Sequence, residues 1–422
     1  MPVSAGTSVT GQSPGNRPDA VISVSEAREA ILAAMPAFDI ETIPVGSAGG
    51  RVLRQAVVAE RDQPPFDRVM MDGIAIAFGD FAAGKRRFPV QSTQAAGDEQ
   101  QVLEPGKCIE IMTGASLPRG ADCVVPVERI TVAGGDARLE DGYVAEANQF
   151  IHPRGSDHGL GAELLAAGKR ISPMDIAIIH SAGLTDIDVS RSPTIRIIST
   201  GNELVPAGAP IEPHQVRMSN GPAVVALLRQ HGYTDCEHDH LVDEPQLLEE
   251  RIAAHLAAAD VLVLSGGVSM GKADYVPQVL GKLGVDVVFH KISQRPGKPM
   301  WFGMGPQGQA VFALPGNPVS TLVCARQYVL PALARSAGEP DPLPEFAALA
   351  QDVSFNPSLT CFLPARLVSG TGGQVLAMPV ATNTSGDFTA LSATDGCVEL
   401  PLEESQFPAG TVLQLHRWSM RA

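Results

Sequence analysis

The sequence predicts a multidomain α/β protein: one domain with a mostly parallel sheet covered on both sides, flanked by smaller β-rich segments. Three observations point there. From Pro193 onward, short apolar strands alternate with helix-like segments of about ten to fifteen residues, which builds parallel sheets. Between Phe88 and Val144, and again after Pro342, short apolar runs alternate with Gly and Pro, as in small β domains. At 422 residues the chain also exceeds what one ordinary core can organise.

Residues 1–18, rich in Ser, Gly, Pro and Thr, read as a disordered tail. Ser23 and Glu26 form a capping-box pattern ahead of a helix that places Ala27, Ile31 and Met35 on one face and ends near Pro36. Pro64 to Gly73 carries a double proline and an Asp-Gly pair. Asp67 and Asp72 could serve a metal there, although turn chemistry is the simpler local reading. The strand predicted at Ile109 to Met112 stops at Thr113-Gly114, where a threonine is ordinarily structural. A helix is expected over Pro173 to Ala182. Then follow a strand over Thr194 to Ile198 running into Ser199-Thr200-Gly201-Asn202-Glu203, and a helix from about Pro222 to His231 stopped by Gly232. Asp243-Glu244 precedes a helix to Ala258, and Val261 to Leu264 reads as a strand buried on both faces.

That strand breaks into Ser265-Gly266-Gly267, whose backbone N–H groups can turn toward an anion without Cβ interference; a tight turn is the alternative. Asp274, at the expected start of the next helix, can cap it or hold a divalent cation. Arg295, Lys298 and Lys291 concentrate positive charge around Pro296-Gly297, where an oxyanion would be attracted. Leu314-Pro315-Gly316-Asn317-Pro318 is a rigid turn suited to a ligand floor, ahead of a helix over Val319 to Ala334. Ligands on parallel sheets gather at the carboxyl ends of strands, so one site would collect these loops.

Composition narrows the function classes. A formal charge of −15 argues against general binding to nucleic acid or anionic membranes, so any anion site must be local. The six cysteines show no C-x-x-C spacing and read as reduced core residues. No N-terminal apolar run and no apolar stretch of about 18 residues is present, which points to the cytoplasm.

Six stretches in order, PPFDRVMMDG, IMTGASLPRGADCVVPVE, STGNELVPAG, SGGVSMGKADY, RPGKP and LPGNPVS, resemble the MoeA family of molybdopterin molybdenumtransferases and the related C-terminal domain of gephyrin. The resemblance implies an elongated connecting domain (19–60 and 152–191), a β lid domain (61–151), a MogA-like three-layer α/β domain with a mostly parallel sheet (192–337) and a C-terminal β barrel (338–422). It implies an enzyme that takes adenylylated molybdopterin and molybdate, releases AMP and leaves molybdenum on the dithiolene. Mg²⁺ is the implied cofactor. A homodimer with a shared active site is implied, as are partners in the preceding adenylyltransferase and in recipient molybdoenzymes.

Carried over by motif, Glu203, Asp243 and Asp274 govern pterin adenylate and Mg²⁺, with Asp243 and Asp274 as metal ligands. Gly266, Gly267 and Ser269 contact phosphate, and Pro315, Gly316, Asn317 and Pro318 shape the substrate floor. Arg295, Lys298, Ser320 and Arg366 bind molybdate, and Asp72 and Thr113 reach the pocket from the partner's lid. The chain departs from the family pattern at Arg68-Val69-Met70, Ile74, His152, Asn202 and Arg217-Met218. A non-catalytic pterin-binding scaffold and a molybdopterin adenylyltransferase are the alternative functions on the same residues.

Overall fold

The computed structural model describes residues 20–267, 275–381, 384 and 386–419. They form two units, one of Thr42–Gly49 with Gln55–Asp188 and one of the remaining described residues. Among the described residues, no helix is long and apolar enough to cross a membrane.

The first unit contains a six-stranded sheet ordered Cys123–Pro126, Gly73–Ile76, Cys108–Ile111, Arg87–Gln94, Asp136–Leu139, Ile130–Ala133. Ile74, Ile76 and Phe88 pack on one face, while Ala75, Ile109 and Ile111 pack on the other. Burial on both faces explains why GIAI and CVVP are almost wholly apolar instead of alternating. Gly73 is required by close approach, since a Cβ there would lie 1.9 Å from the Val125 carbonyl oxygen.

The second unit begins with helix α1 (Val24–Ala34), whose Ser23 and Glu26 side chains close the anticipated capping box. Its central sheet comprises β1 (Ile195–Thr200), β2 (Cys236–Leu241), β3 (Val261–Ser265), β4 (Asp286–His290), β5 (Trp301–Met304) and β6 (Ala310–Leu314), in the order β2-β1-β3-β6-β5-β4. β2, β1, β3 and β6 are parallel. β5 and β4 are antiparallel to their neighbours, so the sheet is mixed. The cause is connection length: the tight turn at Gly305, where Gly305 N–H donates to Gln309 O at 2.7 Å, leaves no room for a crossover helix between β5 and β6.

Helices cover both faces. α1 and α2 (Asn220–Gln230) pack on Ile195, Ile197, Val263 and Phe312, while α3 (Pro245–Ala258) and α4 (Val276–Lys282) pack on Ile198, Leu262, Leu264 and Val311. This is the three-layer arrangement the alternating pattern implied. The long helix after β6 is α5 (Pro318–Cys324) and α6 (Leu330–Ser336), joined by a wide π turn over Ala325–Val329. Strands β7 (Glu345–Leu349), β8 (Thr360–Ser369), β9 (Val375–Pro379), β10 (Gly396–Leu400) and β11 (Val412–Arg417) then close a five-strand barrel, because β8 pairs with both β9 and β10 while β7 and β11 complete the ring. The cysteines are free and buried, as their spacing suggested.

The start of β3 is held by Asp260, whose carboxylate receives both Arg191 Nη groups at 2.8 and 3.0 Å and the Thr194 N–H at 2.7 Å. Burial pushes this carboxyl up, but the Arg191 hydrogen bonds, the Thr194 N–H and the Arg191 charge together outweigh it and hold the pKa below the ordinary value. A lowered folded pKa contributes stability above the unfolded value, roughly pH 4, and the contribution is lost as pH falls through the folded value. Asp260→Ala is therefore expected to cost about 1–2 kcal/mol at pH 7, after discounting for partial solvent screening. In urea unfolding series the mutant and the parent should converge toward pH 2.

Candidate functional site

β1, β3 and β6 end side by side. Their register pairs Ser199 with Ser265 and Ser265 with Leu314, so the three following loops start at one level. They enclose a cavity of about 520 Å³ lined by Thr200, Glu203, Asn220, Gly266, Asn317 and Pro318, with Arg217 and Met218 ahead of α2 and with Gly386 and Phe388 from the barrel. This is where parallel sheets place ligands.

Both glycines of Ser265-Gly266-Gly267 are demanded by backbone packing. Gly266 has φ +100, and a Cβ there would sit 2.5 Å from Thr200 O; Gly267 has φ +67, and its Cβ would sit 2.8 Å from Thr200 Oγ1. The loop is thus a tight turn, with the Gly266 N–H donating to Leu314 O at 3.4 Å and Gly266 on the cavity wall. Gly201 serves Glu203 in the same way: a Cβ there would approach Glu203 Oε2 to 2.7 Å, so the carboxylate folds back over the turn. His240 Nε2 donates to Gly201 O at 2.9 Å, which fixes this turn against β2.

Asn220 ties two of these loops together. Its Nδ2 donates to Gly316 O at 2.7 Å and to Ser265 Oγ at 2.9 Å, and because a carbonyl only accepts, the amide orientation is fixed. Its Oδ1 is buried without a partner among the described residues, as is Thr200 Oγ1. Both residues line the cavity, and two buried polar atoms without a partner cost free energy. Ser199 Oγ lies 2.9 Å from His238 Nε2, and burial holds that imidazole below its ordinary pKa, which makes it a neutral partner beneath the floor.

Of the residues expected from sequence, Glu203, Gly266, Gly316, Asn317 and Pro318 line this cavity. Gly267 follows Gly266 in the turn, and Pro315 O accepts from Thr321 Oγ1 at 2.6 Å, anchoring the floor. Asp243 lies on the adjacent loop, its N–H donating to Asn202 Oδ1 at 3.0 Å. Ser269 and Asp274 lie outside the described residues. Arg295, Lys298, Ser320 and Arg366 do not line the cavity. Arg295 pairs with Cys361 where β8 begins, Lys298 is exposed, Ser320 is buried in α5 and Arg366 is exposed on β8. The basic loop is shaped by close packing: a Cβ on Gly297 would lie 2.4 Å from Cys324 Sγ, and Gln294 Nε2 donates to Pro296 O at 2.9 Å. Asp72 and Thr113 belong to the other unit and meet there, Asp72 Oδ1 accepting from Thr113 N–H at 2.7 Å and from Thr113 Oγ1 at 2.6 Å. The Thr113 hydroxyl and amide hold the Asp72 carboxyl below its ordinary pKa.

Sequence reasoning did not assign Asn220, Thr200 or Phe388 to the site. Asn220 precedes the helix expected from about Pro222, and Phe388 lies in a turn-rich stretch with no motif of its own.

Comparison with known proteins agrees across the chain. Residues 22–183 match the MoeA N-terminal region (domain I and II), residues 196–335 a probable molybdopterin binding domain, and residues 347–418 the MoeA C-terminal region (domain IV). A molybdopterin molybdenumtransferase of Synechocystis is 37% identical over 94% of this chain and 100% of its own, and one of Bacillus subtilis is 29% identical over 93% of both. Among solved structures, a molybdopterin biosynthesis MoeA protein from Pyrococcus horikoshii is similar at a TM-score of 0.79 and 29% identity, over 95% of this chain and 100% of that one. The chain belongs to the MoeA family of molybdopterin molybdenumtransferases.

Proposed function

We propose that the chain inserts molybdenum into molybdopterin, consuming adenylylated molybdopterin and molybdate and releasing AMP. The observation that carries this reading is the strand-end cavity, lined by the glycine turn at Gly266, by Glu203 and by the polar residues Thr200, Asn220 and Asn317. Asn220 and Asn317 offer polar contacts to the substrate, and the backbone that follows Gly266 suits its phosphates.

Glu203 and Asp243 supply oxygen donors only, a set that fits Mg²⁺ held by one or two carboxylates together with substrate phosphates. Asp274, next along the chain from the glycine turn, is proposed for the same task, and Ser269 for contact with the phosphates. Mg²⁺, when bound, would polarise the phosphoanhydride. Arg295 and Lys298, with Ser320 and Arg366, are proposed to receive molybdate beside the barrel.

Purified protein given pterin adenylate should release AMP on addition of molybdate and Mg²⁺. Binding without AMP release would favour a scaffold, and consumption of ATP an adenylyltransferase. Lys298→Ala is expected to raise the molybdate concentration for half-maximal activity ten- to a hundred-fold, the loss of one charge-assisted hydrogen bond of roughly 1.5–3 kcal/mol, with excess molybdate rescuing it. Loss of pterin adenylate affinity instead would assign the basic loop to the nucleotide.

We further propose a homodimer in which Asp72 and Thr113 complete the partner's site. Mixing Asp72→Ala subunits with Glu203→Gln subunits should restore part of the activity, since one of the two sites in a heterodimer is then intact. No recovery after demonstrated subunit exchange would remove the shared site.

A further inference from the structure

A second cavity, of about 270 Å³, opens away from the strand ends, between α1, the π turn, residues 342–345 and β11. Its walls are apolar where Ile31, Leu32, Pro331 and Leu415 meet, and its polar lining includes Arg28, Arg326, Glu345 and His416. An apolar body with a charged rim is how small-ligand pockets are built.

The charges around it do not balance. Arg28 Nη2 pairs with Glu399 Oε2 at 3.0 Å, and Arg417 Nε pairs with Glu345 Oε2 at 2.9 Å. Arg326 makes no ion pair among the described residues; its Nε donates to the Arg417 carbonyl, and the residue lines the cavity with Arg28 and Glu345 near enough to act on its charge. Three guanidiniums therefore face two carboxylates. His416 does not change the sum: burial outweighs its Glu399 contact and lowers its pKa, so the ring is neutral near pH 7. Burial likewise lowers the Arg326 pKa, the sign of a desolvated cation without enough compensation. Removing such a cation from water is costly unless an anion joins it. The helix widens into its π turn at this residue, a distortion found frequently at functional sites, and the wide turn carries Arg326, Gln327 and Tyr328 to the cavity wall.

We propose that this cavity is a second ligand site, separate from the strand-end cavity, for a small molecule with an oxyanion head on an apolar body. The head, a carboxylate or a phosphate monoester, pairs with the Arg326 guanidinium in its two-pronged geometry. The body lies against Ile31, Leu32 and Leu415. An apolar cavity of roughly 150 Å³ already accepts benzene, so the volume here suits a ring or a short acyl chain.

Calorimetric titration of the full chain with benzoate, phenyl phosphate, inorganic phosphate and benzyl alcohol tests this. Benzoate or phenyl phosphate should bind with a Kd of about 1 mM or tighter, by the ordinary strength of one charged pair plus a buried ring. Whichever of the two binds better identifies the head. Inorganic phosphate, lacking the body, and benzyl alcohol, lacking the charge, should bind at least ten-fold more weakly. Arg326→Met, and independently Leu32→Trp, which fills the cavity, should each weaken the probe ten-fold or more, while Lys298→Ala should leave it unchanged. Should Arg326→Met not fold, Leu32→Trp decides. No saturable binding to the unmodified chain near 10 mM, or binding that survives both cavity variants, overturns the proposal. Loss in Lys298→Ala alone also does, by placing the probe in the molybdate site.

Discussion

Gly266→Ala is expected to abolish measurable turnover and to lower the unfolding temperature. The added Cβ would lie 2.5 Å from Thr200 O and 3.0 Å from Thr200 Oγ1, at a φ of +100 that side chains rarely adopt. Backbone strain alone costs about 1–3 kcal/mol. The clash must then displace Thr200, a residue of the cavity lining, so activity should fall further than stability. Gly208→Ala provides the control, because Gly208 has a similar φ of +85 but nothing within 4 Å of its Cβ position. Thermal unfolding and single-turnover AMP release on both variants separate the two contributions. Equal losses in both would mean that conformation, and not the approach to Thr200, makes Gly266 necessary.

Glu203→Gln is expected to lower kcat/KM by about a hundred-fold or more while the melting temperature stays within a degree or two. The side chain is exposed at the cavity mouth, so its removal leaves no buried group unpaired and stability has little to lose. What the substitution removes is charge, which a hard cation requires of its ligand. Raising Mg²⁺ should recover part of the activity of Glu203→Gln but none of that of Gly266→Ala, whose defect is steric. A Mg²⁺ titration of AMP release on each variant checks this. Unchanged turnover of Glu203→Gln at limiting Mg²⁺ would leave the carboxylate as a feature of the Gly201 turn alone.

The sequence by itself determined the local pieces. Ser23 and Glu26 specify a capping box through side chains three residues apart, Val261 to Leu264 specify a strand buried on both faces, and the spacing of strands and helices after Pro193 specifies three layers. Each signal acts over a few residues, so pattern and propensity suffice to read it. The ordered motifs likewise marked Glu203, Gly266, Gly316, Asn317 and Pro318, which the structure gathers on one cavity.

Only the tertiary structure decided the rest, because those features depend on groups far apart in the chain. The antiparallel run of β5 and β4 follows from a connection too short for a crossover, and barrel closure requires β8 to find both β9 and β10. Asn220 has no role in any local pattern until Gly316, 96 positions away, accepts from its Nδ2 and brings the residue to the cavity. Arg326 reads as an ordinary helical arginine. Its carboxylate neighbours come from other elements and pair with other cations, and only that placement makes it a buried charge in want of an anion.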